Sequence, residues 1–213
     1  MNDTGVRATY LGALAVSREV IATDAIGKRW RDASALAKWS IGGLAGHLAR
    51  TAHTVEEYLD GGPAAPDAAL RGPAEYYLAV LTPNDLDSDV HVAIRNRGDR
   101  AAAAGRDALI DSLDGCIARL HDRLAAELRD RTLTVFGGNA MTLDDYLSTR
   151  IVEIVIHVDD LCVSIGRTTP AVPGIGDAIA TLVATSGLRH GDLAVLRGLA
   201  RRERDPAQVL RVL

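Results

Sequence analysis

Glu153 and His157 stand four residues apart within Tyr146 to Ser164, where Leu147, Ile151, Ile154, Val158, Leu161 and Ile165 repeat at the spacing of a buried helix face. Immediately before these residues, in the same rhythm, run Tyr146, Arg150, Glu153, His157, Asp160 and Ser164. A polar seam beside an apolar one is at least partly inside the protein. Burying a charge costs roughly several kcal/mol or more unless it is paired or bound to a metal. A Glu and a His separated by four residues share a helix face and can reach one cation. A third donor is available in His47, which precedes Leu48 on an earlier apolar stripe (Ile41, Leu44, Leu48, Ala52, Val55, Leu59) with the offset that His157 has from Val158. Seams in matched phase can face each other across a bundle core. Two imidazoles and one carboxylate leave coordination positions open, as in catalytic zinc and non-haem iron sites.

The competing reading is plain. Glu153 would pair with Arg150, His157 would be a satisfied core histidine, and His47 would be unrelated to both. Arg150 itself has two candidate roles, holding a substrate carboxylate or neutralising Glu153. Asp160 could orient a metal-bound imidazole through its second N–H, or make a helix-packing hydrogen bond to the start of the second helix. Tyr146 is a candidate for the pocket mouth, and Arg95 and Arg97 for anion contacts. His53 is a rival third ligand but faces another side of its helix. His121, beside Asp122, reads as solvated, His91 and His190 lie in irregular or terminal segments, and Cys162 reads as packing.

The elements that must position these residues are helices. The first is expected over Val6 to Trp30. The second has Ser40 as N-cap and continues to Leu59, ended by Gly61, Gly62 and Pro63. Pro63 to Gly105 reads as a long irregular connection holding a short helix near Pro73 to Leu81. A third long helix is expected over Arg106 to Arg129. Thr142 caps the fourth, with Asp145 in a capping-box position, and Gly166 closes it. Shorter helices follow over Asp177 to Leu188, Asp192 to Arg202, and from Asp205-Pro206 onward. Ile151 to Val158 is rich enough in β-branched residues to form a strand alone, but its flanks keep the helical phase. Val90 to Ile94 and Thr132 to Phe136 are candidates for short strands, against which the helical context weighs. The pattern predicts an all-α fold, a four-helix bundle over residues 1–169 with one long crossover, and a C-terminal helical extension over 170–213 packed on it.

The 213 residues are 47% hydrophobic but only 4% aromatic, so the core is built of Leu, Ile, Val and Ala. A formal net charge of -4 gives no reason to expect nucleic acid as a partner. Arg197, Arg201, Arg202, Arg204 and Arg211 are interrupted by acids and read as a solvated face. Two cysteines, Cys116 and Cys162, argue against a disulfide framework, and no apolar run reaches the roughly 20 residues of a membrane span. A soluble cytoplasmic protein is expected.

The segment Trp39-Ser40-Ile41-Gly42-Gly43-Leu44-Ala45-Gly46-His47-Leu48 resembles the W-[ST]-x-x-[DE]-x-x-x-H-[LI] motif of the DinB-like metalloenzymes. More narrowly, it is similar to the N-terminal domain of mycothiol-dependent maleylpyruvate isomerases. Arg150 to Leu161 resembles that family's second motif, R-x-x-E-x-x-x-H-x-x-D-L. The resemblance places the metal ligands on His47, Glu153 and His157, with Arg150 and Asp160 as candidate catalytic residues. It implies a divalent metal, zinc foremost, and a low-molecular-weight thiol, mycothiol, as cosubstrate. The partners would be that thiol and a small electrophile, with isomerisation or S-transfer as the reaction. Two departures stand out. Gly43 occupies a position where the family usually has an acid, and the C-terminal tail does not look like the α/β-type second domain of the characterised isomerases. The alternatives are a non-catalytic metal-binding or regulatory bundle, a metal-dependent hydrolase, and a structural homodimer.

Overall fold

Residues 4–80, 86–200 and 206–207 are described by a computed structural model of the chain. Nine helices and one hairpin occur among them: α1 (Thr4–Ile21), α2 (Asp24–Lys28), α3 (Ile41–Asp60), α4 (Pro73–Val80), α5 (Asp89–Ala102), α6 (Arg106–Ala126), β1 (Thr132–Val135), β2 (Asn139–Thr142), α7 (Leu143–Ser164), α8 (Ile175–His190) and α9 (Asp192–Ala200). The four long helices α1, α3, α6 and α7 enclose a core in which Leu14, Leu44, Leu48, Leu113, Leu120, Leu147 and Ile154 are fully buried. Burying each such side chain contributes about 1.5–3 kcal/mol.

Side-chain pairs fix the topology. Arg7 meets Asp144 at the start of α7, and Arg29, just after α2, reaches the Ser164 carbonyl at its end, so α1 and α7 run parallel. His53 meets Ser112, Glu56 meets Arg119 and Asp60 meets Arg123, so α3 and α6 are also parallel. Tyr146 bonds Thr54 while His157 packs on His47, which makes α3 and α7 antiparallel. The bundle is therefore up-down-down-up, and its parallel pair α3–α6 requires the long crossover.

That crossover is not the irregular connection expected. Besides α4 it contains α5, a 14-residue helix capped by Ser88, whose hydroxyl accepts from His91 N. Val90 to Ile94 is helical, not a strand. The signal was hidden because α5 is polar along most of its length and contacts α3 through glycine. A Cβ on Gly46 would lie 2.2 Å from the Gly98 carbonyl oxygen, so only glycine lets α5 cross α3 this closely. The first expected helix is also broken: Thr23 adopts an extended backbone and starts α2 separately, its hydroxyl donating back to the Val20 carbonyl. Thr132 to Val135 does form a strand, paired antiparallel with Asn139 to Thr142. Among the described residues this hairpin, with isolated bridges between Ala33 and Ser40 and between Leu70 and Ala140, is the departure from an all-helical fold.

Ser40 and Thr142 cap α3 and α7 as their sequences predict, accepting from Gly43 N and Asp145 N. Ile151 to Val158 is helical throughout. The helix α8 packs against α7 and α4, and α9 against α8. The expected start of a last helix at Asp205 lies outside the described residues. Cys116 and Cys162 are buried free thiols. No described helix is long and apolar enough to cross a membrane.

Candidate metal centre

Antiparallel packing of α3 on α7 brings the three sequence-selected donors together. One ligand atom each from His47, Glu153 and His157 lies within 4.8 Å of the other two. The Nε2 atoms of His47 and His157 stand 3.9 and 3.3 Å from Oε2 of Glu153. Donors about 2.0–2.2 Å from a tetrahedral ion are about 3.3–3.6 Å apart, so small side-chain adjustments would close the set on one cation. The imidazole rings meet edge to face at 4.8 Å, and the Trp39 ring lies 5.1 Å from that of His47. The alternative in which His47 is unrelated to His157 does not describe this chain.

The supports of the three donors are as specific as the donors. His157 Nδ1 is 3.0 Å from Asp160 Oδ2, leaving Nε2 turned toward Glu153. Asp160 thus bonds an imidazole, not the start of α3. The Tyr77 hydroxyl lies 2.9 Å from both Glu153 Oε1 and the Thr149 carbonyl oxygen, its single proton shared between the two acceptors. Nothing in the sequence pattern singled out Tyr77, because it lies on the short α4 in the crossover. The side chains of His157, Glu153 and His47 keep 13%, 18% and 22% of their exposure, so solvent reaches the cluster. A closed structural site would be sealed by a fourth ligand; among the described residues no fourth donor joins this group.

Electrostatics follow from this packing. Burial would raise the Glu153 carboxyl, but the His157 hydrogen bond and the nearby Arg150 charge overcome it and hold it well below the usual carboxylate range. Burial drives His47 down to about 3, with His157 adding to the effect. Burial also opposes the His157 imidazolium, yet hydrogen bonds to Asp160 and Glu153 prevail and raise it to about 9. The metal-free cluster therefore carries one anion and one proton shared among its members, which a divalent cation can replace.

The remaining candidates sort themselves. Arg150 lies beside the cluster but makes no ion pair with Glu153. Tyr146 is buried at 1% exposure, not at a pocket mouth, with its hydroxyl on Thr54. Arg95 donates to the Leu86 carbonyl and Arg97 lies 6.0 Å from the centre of the Phe136 ring, so neither joins the triad. His53 bonds Ser112 on α6 instead, and His121 is solvated beside Asp122.

An up-down-down-up bundle with two histidines and a carboxylate converging from α3 and α7 defines a helical protein of the DinB-like type, able to hold a metal. Residues 15–162 match the mycothiol maleylpyruvate isomerase N-terminal domain, and the chain belongs to that family. No curated protein and no solved structure matches it.

Proposed function

We propose that His47, Glu153 and His157 hold one divalent cation, zinc foremost, and that the protein uses it to run thiol-dependent chemistry on a small electrophile. The observation that carries this reading is the convergence of the three donors in a cluster still reached by solvent. A bound divalent ion supplies Lewis acidity, which lowers the pKa of a thiol or water into the neutral range. The chain's own residues hold the donors in place. Asp160 fixes the His157 tautomer, Tyr77 fixes the Glu153 rotamer, and Trp39 limits the swing of the His47 ring. Membership of a family named for a mycothiol-dependent isomerase supports a low-molecular-weight thiol such as mycothiol as cosubstrate. Thiolate addition to a conjugated double bond, rotation and elimination returns the thiol and isomerises the substrate. Displacement of a leaving group would instead consume the thiol.

Elemental analysis of purified wild type beside His47→Ala and His157→Ala tests the metal. About one ion per chain in wild type, lost in both variants, is expected; equal metal in all three removes the reading. Metal-dependent loss of free thiol with an activated electrophile, or thiol-dependent isomerisation of a conjugated acid, then tests the chemistry. Hydrolysis without thiol would place water in the thiol's role. No turnover by fully loaded protein would favour a metal-binding or regulatory bundle.

A further inference from the structure

The family match ends at residue 162, whereas the chain continues through Val172 into α8. That continuation is built into the bundle. Val172 is buried in the main core, and Gly174 closes on α1 and α7. A Cβ on Gly174 would lie 2.6 Å from Ile151 Cγ2 and 2.9 Å from Thr9 Cγ2, and its backbone is left-handed at φ 84°. Both constraints select glycine. The start of α8 is thus fixed against the same helix that carries Glu153 and His157.

One turn into α8, Ala178 is 1% exposed and forms a small apolar cluster with Val152 of α7 and Tyr77 of α4. Leu182, one turn further on, packs on the same cluster. The helix α4 is only eight residues long and packs more on α8 than on α7. Tyr76 ties it to the main core, but the ring of Tyr77 is packed in the cluster that α8 completes.

The other end of that ring reaches the metal centre. The Tyr77 hydroxyl lies 2.9 Å from Glu153 Oε1, while Glu153 Oε2 faces the two histidines. Holding Oε1 leaves Oε2 as the oxygen that Glu153 offers to a cation. With α8 pinned at Gly174, a larger side chain at position 178 must push α4, and the Tyr77 hydroxyl goes with it.

We infer that Ala178 and Leu182 are positioning residues for the metal centre, acting on Glu153 through Tyr77, so that a helix beyond the family match completes the site. The purpose of this link rests on the metal-site reading; the link itself, from α8 to Glu153, does not.

Ala178→Leu and the gentler Leu182→Ala, each alone and combined with Tyr77→Phe in the full chain, test it. Zinc affinity, measured by chelator competition, should fall at least about tenfold in Ala178→Leu, the lower end of what losing a ligand's supporting partner costs. Leu182→Ala should lose severalfold, and it carries the test if Ala178→Leu does not fold. With Tyr77→Phe already in place, either change should alter zinc affinity less than about twofold, because the hydroxyl through which α8 acts is gone. A merely structural role would lower stability without that coupling. In metal-free protein, Tyr77→Phe should lower the urea midpoint of the wild type and leave that of Ala178→Leu or Leu182→Ala nearly where it was. Unchanged zinc affinity in both folded α8 variants, or the same loss with and without the Tyr77 hydroxyl, overturns the link. A wild type that takes up no zinc sinks the metal reading instead, and the metal-free midpoints then decide: additive shifts overturn the link, and a vanished Tyr77→Phe effect upholds it.

Discussion

Nδ1 of His157 lies 3.0 Å from Oδ2 of Asp160, one turn further along α7. Three residues apart on a helix, the two side chains are neighbours by geometry alone. The contact decides which ring nitrogen is available: with Nδ1 committed, Nε2 is the donor, and it already faces Glu153. Replacing Asp160 by Asn should keep the size and lose the charge. The expected result is a metal affinity about 10–100-fold weaker at unchanged stoichiometry, the usual effect of removing such a partner. Competition against a chromophoric chelator measures it. Unchanged affinity would show that Asp160 only packs.

Metal binding should also release a proton. In the metal-free protein the Asp160 and Glu153 hydrogen bonds outweigh burial and raise His157 to about 9, whereas burial, with His157 adding, holds His47 near 3 and already neutral. For folding without metal, His157 adds stability that is complete below its unfolded pKa near 6.5 and is lost as pH climbs through about 9. For metal uptake the sign is reversed, because that proton must leave. Zinc affinity should therefore rise close to tenfold per pH unit from about pH 7 toward 9. Calorimetry in two buffers of different ionisation heat should count one proton per ion. A pH-independent affinity would contradict the arrangement.

Tyr77→Phe probes the second support. Its hydroxyl bridges the Thr149 carbonyl and Glu153 Oε1, and no solvent-filled gap is needed to explain either distance. Removing it leaves a buried carboxylate oxygen short of one donor, at a cost of about 1–3 kcal/mol. Chemical denaturation of the metal-free protein should show that loss as a lower midpoint at unchanged slope. Zinc should restore part of it by mass action.

The triad and the four long helices were legible because they obey one rule: matched 3.6-residue phases on α3 and α7 put His47, Glu153 and His157 on facing seams. Elements outside that rule were not. The helix α5 has no apolar stripe and is held by Gly98 pressed to Gly43 and Gly46, so its signal is the absence of side chains. The strand from Thr132 is only four residues long and is secured by its partner β2, a pairing that local propensity cannot reveal. Tyr77 was missed for a related reason. It reaches the site from the crossover, and a short apolar helix there carries no mark of which of its residues face inward.

Gly46→Ala tests whether α5 is a working wall of the site. An added Cβ would meet the Gly98 carbonyl oxygen at 2.2 Å and the Ala102 backbone nitrogen at 3.0 Å, contacts that backbone must move to relieve. Overpacking of this kind costs about 1–3 kcal/mol. Because Gly98 also borders the His47 side chain, the displacement should reach the metal centre. The expected outcome is a lower thermal midpoint with a weaker zinc affinity. A stability loss with full zinc affinity would make α5 a structural cover only.

The place of Gly43 gives the last prediction. The related motif carries an acid at this position, where it would face the N-terminus of α3. Here an ideal Cβ on Gly43 would lie 2.3 Å from Asp99 Oδ1, so α5 already presents a carboxylate at that end of the helix. An acid near a helix N-terminus stabilises it whichever segment supplies it. Gly43→Asp should therefore destabilise the wild type by crowding and like-charge repulsion. In an Asp99→Gly background the same change should cost much less, or gain stability. A double-mutant cycle on denaturation midpoints measures the difference, and interaction of at least about 0.5 kcal/mol is expected for groups in contact. Strict additivity would mean that the two positions do not share one role, and the missing acid would be left without a replacement in trans.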